Sequence, residues 1–584
     1  MSIHVSNTQT NPHPLWVQDA RNFWPQSAII DKLSSGLQHP FDLDKTPPDD
    51  MLLEGLDPLA LIAALTIPWR KIGDAIIYAS ADPDNFTPPE ILPFGAERSH
   101  IVFAPRNQIH RAIRQAFSDT LLAIAHNRCP DEFSCKSLRI NPKKPLFLLS
   151  VTSLAISVFM FAEQWLTAVL LWIILINAAT TILRISAVMS LWNHKPSPAF
   201  LPANTARFAP PDKQPTVTLL VPLFKEDKIL PRLIENLKAL DYPPDLLEII
   251  LLLEERDPIT AKALGRLNLP SYIVPLTIPK DTLQTKPKAM NFALPFCRGE
   301  IIGVYDAEDR PAPDQIRKVI RHFLAAPANV ACVQGQLDFY NSRSNWIARC
   351  FTIEYAMWFR VVMKGVQNLG LPIPLGGTTL FFRHDILKEI GGWDAYNVTE
   401  DADLGMRLAR FGYRCEIVET TTLEEANNRP VQWVRQRSRW LKGFAMTWAT
   451  HMRHPRRLWR ELGPAGFTGF QILLLSGLTS HLAMPLFLAL WATFFAFPIL
   501  PIANIPQPLW LLFIATMISA EITLWAVALI ATWDKTRRNL IPYILALPFY
   551  WPLGAFAAYK AMAEVIFAPF YWDKTSHGHS DEDH

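Results

Sequence analysis

Apolar residues form two patterns in this chain: long uncharged runs near residue 150 and beyond 465, and short runs of five to seven residues between them. Residues 145–162 and 165–183 are long runs parted by Glu163 and Gln164, with Lys143 and Lys144 before them and Arg184 after. A bilayer crossing takes ~20 apolar residues, so the pair reads as a helical hairpin with both basic ends inside. Residues 466–498 are longer than one span yet short for two, and 508–531 form a span followed by Lys535, Arg537 and Arg538. Keeping those charges inside requires an odd number of crossings in 466–498. Residues 540–559 are apolar but carry Pro542, Pro548 and Pro552, which fits a kinked span or a segment lying in the interface. Four spans are expected, and up to six.

The short runs 217–223, 248–253 and 301–305 are each followed by a helical pattern. Buried strands alternating with helices predict a mainly parallel sheet covered on both faces, whose ligands gather at the carboxyl ends of the strands. Acids stand at those ends: Glu226 after the first run, Glu254 and Glu255 after the second, Asp306, Glu308 and Asp309 after the third. Nearer the N-terminus, 58–65 reads as helix, 70–78 as strand-rich, 79–83 as a turn and 106–125 as helix, a small α/β module. Residues 1–50 are polar and Pro-rich without an apolar run, so no signal peptide is expected and the N-terminus is placed in the cytoplasm.

Composition supports membrane spans: 50% of the 584 residues are hydrophobic, with 19 Trp and 34 Phe. A net charge of +3 on scattered basic residues excludes nucleic acid as a partner. The six cysteines form no CxxC pair and have no His at zinc spacing, as expected of reduced thiols on a cytoplasmic face.

The chemistry starts from Gln436-Arg437-Ser438-Arg439-Trp440. On a helix Gln436, Arg439 and Trp440 share a face, where a guanidinium forks onto phosphate oxygens and an indole covers the apolar face of a sugar. An amphipathic surface helix with a snorkelling Trp is the alternative. Asp306 and Glu308, two apart at a strand end, offer hard oxygen ligands for Mg²⁺ or Mn²⁺, which would offset charge on a leaving diphosphate. Lys286 and Lys288 precede Asn291 on a helix and could meet phosphate oxygens. Asp401, in Thr399-Glu400-Asp401 after the turn at 391–394, is either a general base or a partner of a helix dipole.

Taken in order, Pro222 to Glu226, Glu254-Glu255, Lys286 through Asn291, Asp306-Ala307-Glu308, Thr399-Glu400-Asp401 and Gln436-x-x-Arg439-Trp440 resemble the motifs of processive, membrane-embedded family 2 glycosyltransferases, the cellulose, hyaluronan and exopolysaccharide synthases. The resemblance spans roughly residues 145 to 575. It implies a GT-A-like, Rossmann-like α/β domain at 212–430 inserted between transmembrane helices. Around it would lie the N-terminal module at 1–140, a hairpin at 145–189, interface helices at 431–462, transmembrane or interfacial helices at 466–571 and a cytoplasmic tail at 572–584. It also implies a multi-pass protein of the bacterial inner membrane whose catalytic domain faces the cytoplasm.

Carried over by residue, the resemblance gives Glu254 and Glu255 the uridine, Lys286 the diphosphate, and Asp306 with Glu308 the metal. Asp401 becomes the base of an inverting displacement. Gly376, Gly377 and Thr378 form the acceptor-side loop, and Gln436, Arg439 and Trp440 border the acceptor and pyrophosphate. The implied activity is transfer of a hexose from a UDP-sugar to a growing polysaccharide that is exported through the spans, handed on to periplasmic or outer-envelope partners. Two departures stand out: Glu254-Glu255 replaces the usual Asp-Asp, and Glu308 replaces an Asp, leaving Glu308 or Asp309 as the second ligand. Single-sugar transfer to a lipid carrier and a non-enzymatic scaffold with an inactive transferase domain remain as alternatives. The ending Trp572 to Gly578 resembles the C-terminus of some exopolysaccharide synthases and carries no assigned role. The N-terminal module is similar to the N-terminal domain of type II secretion ATPases. Some such domains bind cyclic di-GMP, but the Arg-Leu-Gly opening of binders is absent before residue 70, so no cyclic di-GMP site is assigned.

Overall fold

Residues 17–20, 42–73, 75–84, 86, 99–138, 145–193, 214–494 and 506–572 are described by a computed structural model of the chain. Expectations for Lys143, Lys144 and the tail beyond Trp572 lie outside them. Two compact units emerge, Met1–Ala125 with Phe292–Cys297, and His126–Asn291 with Arg298–His584.

In the first unit, β1 (Val17–Ala20), β2 (Thr66–Ile72), β3 (Ala75–Ser80) and β4 (Ser99–Phe103) form a sheet in the order β1-β4-β3-β2. Only β3 and β4 run parallel. The helix Pro58–Ala64 starts where the Asp57 carboxylate accepts from the Leu59 amide and Pro58 presets the first turn. The predicted 106–125 helix is two helices, Arg106–Ala116 and Ser118–Asn127, parted at Phe117.

The second unit carries the larger sheet: β5 (Val217–Leu223), β6 (Leu247–Glu254), β7 (Ile273–Ile278), β8 (Ile301–Val304), β9 (Arg310–Pro311), β10 (Val330–Phe339), β11 (Leu380–Arg383) and β12 (Arg414–Glu424). Its order is β7-β6-β5-β8-β11-β10-β12-β9. The strands β7, β6, β5 and β8 are parallel, as expected for β5, β6 and β8 from the three apolar runs, while β7 lies outside those runs. The sheet is nevertheless mixed, because β11 runs antiparallel to both β8 and β10. Apolar faces of the helices Leu230–Lys238 and Gln315–Ala325 cover one side, through Leu233, Ile234 and Leu237 and through Ile316, Val319 and Ile320. These residues recur every three or four positions, the spacing of a helix face turned to a core.

Three described helices are long and apolar enough to cross a membrane, Ala162–Trp192, Pro455–Leu482 and Gln507–Thr532. A fourth is reached if Arg538–Tyr550 and Leu553–Phe567, bent by 49°, count as one span. The 145–162 run forms the 16-residue helix Pro145–Met160, ~24 Å long and short of a ~30 Å hydrocarbon core. The helix Pro455–Leu482 breaks at Gly463, whose φ of 67° lies in the left-handed region, and Pro464 brings no amide to mend the ladder. All six cysteines are buried thiols.

Candidate active site

The carboxyl ends of β5, β6 and β8 open onto a cavity of 550 Å³ within the second unit. Its walls come from three sources: strand ends, through Phe224, Glu254, Asp306 and Glu308; the loop Gly376, Gly377 and Thr378; and the helix starts carrying Lys286, Glu400 and Asp401. Gln436, Arg439 and Trp440 of the helix Pro430–His451 close it on another side. Toward the apolar helices it reaches Arg184, His481 and Trp551.

At its centre the Lys286 ammonium bonds to the Asp306 carboxylate and donates to the Gly377 carbonyl at 2.6 Å. Burial alone would depress this lysine, but Asp306, Glu400 and Asp401 outweigh it and hold the ammonium charged. A Cβ on Gly377 would lie 3.5 Å from Asp401 Oδ2 and 4.0 Å from Asp306 Oδ2, so both carboxylates face this glycine. Burial pushes Asp401 up to about 6 against the pull of the Ala402 amide and Lys286. Burial and the Asp401 charge push its neighbour Glu400 up to about 8.

Glu308 lines the cavity, whereas Asp309 lies beneath it, fully buried. Asp309 Oδ2 accepts from the Asp306 amide at 2.8 Å and from the Thr378 hydroxyl, tying the two loops together. Its other oxygen, Oδ1, is buried with no hydrogen-bond partner. Burial, then the charges of Asp306 and Glu308, hold Asp309 well above the usual carboxylate range. Glu424, at the end of β12, is raised by burial and by Asp309, Glu308 and Asp306. Among the described residues no group of three or more His, Cys, Asp or Glu forms a ready cage for a metal ion. The crowded carboxyls of Asp306, Glu308, Asp309 and Glu424 nevertheless leave one buried oxygen, Asp309 Oδ1, without a hydrogen-bond partner.

One predicted site residue stands apart. Successive side chains at a strand end point to opposite faces, so Glu254 enters the cavity and Glu255 turns away, accepting from the Lys280 amide at 2.7 Å. Glu254 pairs with fully buried Lys288 at 3.4 Å. Of the pair Glu254-Glu255, Glu254 alone lines the cavity.

Residues that the sequence reading did not assign complete the walls. Arg437 projects beside Trp440, its guanidinium 4.8 Å from the indole centroid, and pairs with Glu354 at 2.6 Å. Glu354 also accepts from the Tyr550 hydroxyl at 2.6 Å, and Tyr550 in turn accepts from the Trp433 indole at 2.8 Å. Trp572 lies over the Arg439 guanidinium at 5.0 Å. The Gln436 side-chain oxygen accepts from Asn427 at 3.0 Å. Only the Arg within the Gln-Arg-Ser-Arg-Trp run and the strand-end position of Glu424 could have pointed to these residues.

Two stretches of the chain match known families. Residues 301–531 match the family model of glycosyl transferase family group 2, and residues 35–122 match the MshEN domain. Over 39% of its length the chain is 25% identical to the probable glycosyltransferase YdaM of Bacillus subtilis, covering 55% of that protein. It is 27% identical to the beta-monoglucosyldiacylglycerol synthase of Trichormus variabilis, over 39% of this chain and 49% of that one. With the cellulose synthase 1 catalytic subunit (UDP-forming) of Komagataeibacter xylinus it shares 24% identity over 42% of this chain and 32% of that one. The chain thus spans about half the length, or less, of these curated relatives. Within the chain, residues 301–531 are thus assigned to glycosyl transferase family group 2 and residues 35–122 to the MshEN domain.

Proposed function

We propose that the chain transfers a hexose from a UDP-sugar to a growing polysaccharide, by a single inverting displacement at the membrane. The observation that carries this reading is the convergence on Gly377: Lys286 bonded to Asp306 and the Gly377 carbonyl, with the Asp401 carboxylate on the same glycine. A donor diphosphate seated against Lys286 brings the anomeric carbon toward Asp401. Asp401, ionised above about pH 6, takes the proton from the acceptor hydroxyl as that oxygen attacks. Lys286 and Arg439 offer cations to the departing diphosphate, and the Trp440 indole provides a flat face for the acceptor sugar. Asp306 and Glu308 would hold Mg²⁺ or Mn²⁺, which when bound offsets charge on the leaving group. The apolar helices that complete the cavity support export of the product as it lengthens.

The matches to beta-monoglucosyldiacylglycerol synthases support a second reading, transfer of one sugar to a lipid acceptor entering from the membrane side near Arg184 and His481. Purified protein in detergent, given UDP-sugars with Mg²⁺ or Mn²⁺ beside Asp401→Asn, separates the two. UDP release with a high-mass product, lost in the variant, is the expected result. A short lipid-linked product favours the second reading, and no turnover with any donor defeats both.

A further inference from the structure

Residues 126–138 lie across the transferase domain without lining its cavity. They form a strap with little regular structure beyond the last turn of Ser118–Asn127 and a short 3-10 turn at Cys135–Ser137, yet Cys129, Phe133, Ser134 and Cys135 are each at most 4% exposed. Burial of that depth in a connecting segment implies that it is held in one conformation.

Its contacts converge on the stretch of chain that carries Asp401. Upstream of that residue, the strap chelates the Asp394 carboxylate: the Ser134 hydroxyl donates at 2.9 Å and the Cys135 amide at 2.7 Å. Asp394 is itself fully buried, so without these donors its carboxylate would be desolvated and poorly satisfied. From Asp394 a loop runs to Thr399, fixed by the Thr285 hydroxyl on the Ala395 carbonyl at 2.8 Å and by Asn397 on Thr447 at 2.9 Å. Downstream, Phe133 packs its ring 5.6 Å from Phe411, the residue closing the helix Glu400–Arg410, and 4.7 Å under the Arg410 guanidinium. Arg453 completes the grip, donating to the strap carbonyls of Asp131 at 3.1 Å and Ser134 at 2.9 Å. The segment bearing Asp401 is therefore held at both ends by one piece of chain.

We propose that the strap is a positioning element of the active site, with Ser134 and Phe133 fixing the placement of Asp401 through Asp394 and the far end of its helix. The proposal rests on the reading of Asp401 as the general base. Small displacements of such a group are expensive: about 1 Å can cost roughly 100-fold in rate. Strap variants should accordingly lose turnover while keeping donor affinity, because no strap residue lines the cavity.

The test uses the full chain in detergent with three variants, Ser134→Ala, Phe133→Ala and the conservative Phe133→Leu, measuring kcat and KM for the nucleotide sugar and amide hydrogen exchange across 394–403. Expected are a kcat lowered about 10-fold or more in Phe133→Ala, a few-fold loss in Ser134→Ala and recovery in Phe133→Leu. KM should stay within about two-fold, with faster exchange across 394–403 and none across Val217–Leu223. Wild-type kcat in either alanine variant despite faster exchange overturns the proposal. If Phe133→Ala does not fold, Ser134→Ala decides alone by the same criterion. If the wild type turns over no donor, the proposed function has failed, and the exchange measurement still judges the strap: unchanged protection of 394–403 in Ser134→Ala overturns it.

Discussion

Asp401 lies in the first turn of its helix, where the backbone dipole favours an anion, yet burial lifts it from 3.8 to about 6. The folded protein thus binds this proton more tightly than the unfolded chain does, so the site costs stability as pH rises from about 4 through 6 and bears the full cost above that. A shift of about two units corresponds to ~3 kcal/mol at most. Asp401→Asn should therefore be inactive and yet more stable at pH 8 than the wild type, with the gain vanishing near pH 4; thermal unfolding at the two pH values checks it. For the wild type, kcat/KM should fall about tenfold per pH unit below about 6, as the base is lost to protonation. A flat profile between pH 5 and 7 would remove Asp401 from that role. The Glu254 and Glu255 carboxyls separate by the same logic of placement. Glu254→Gln alters a cavity wall and should raise the donor KM, whereas Glu255→Gln, whose side chain does not line the cavity, should leave it within about two-fold.

The helix Pro430–His451 illustrates what a sequence discloses and what it hides. Face geometry at i, i+3 and i+4 located Gln436, Arg439 and Trp440 on the cavity, and the same rule passed over Arg437, one position on from Gln436. Arg437 matters because Glu354 and Tyr550 approach from elements remote in sequence, which periodicity within one helix cannot register. Strand β11 escaped for a different reason: Leu380, Phe381 and Phe382 are buried and Arg383 half-buried, with no mark of direction, so its antiparallel pairings inside a mainly parallel sheet went unread. The acids after β5, β6 and β8 were legible because strand ends gather ligands whatever the neighbouring strand does. Glu354 and Arg437 are 16% and 12% exposed, so breaking the pair strands a largely buried charge. Glu354→Gln should cost about 3–5 kcal/mol, and Glu354→Gln with Arg437→Met should recover much of it. Unfolding temperatures of both variants test this, and equal losses in the two would mean that the ion pair is not the source.

Across the molecule, contacts with the transferase domain fix which helix ends share its side of the membrane. The strap lies there, since Asp131 and Ser134 bond to Arg453, and so does the end of Ala162–Asn193, where Asn368 donates to the Ser190 carbonyl at 3.4 Å. If Ala162–Trp192 crosses, an even number of crossings between those two points predicts that the short helix Pro145–Met160 crosses as well, the two forming a hairpin. Beyond the domain, Pro455–Leu482 still lines the cavity through His481, so the chain leaves through Met484–Phe494, and Gln507–Thr532 returns, because Arg537 donates from Nε to Asp338 of β10 at 2.9 Å. The bent pair then begins and ends on the domain side: Arg349 lies 4.5 Å over Tyr543 near its start, and Trp572 lies over Arg439 just after its end. A segment with both ends on one side cannot be a single span, so the geometry favours a re-entrant or interfacial pair and predicts four crossings in all. Single cysteines replacing Thr536 and Tyr571 should then label with a membrane-impermeant maleimide from the domain side only, and one replacing Gln164 from the opposite side only. Labelling of position 571 from the side of position 164 would make the bent pair a true span. The cavity wall formed by Trp551 would then belong to a membrane-crossing helix, which strengthens the case for a polymer leaving along it over a lipid entering from the side.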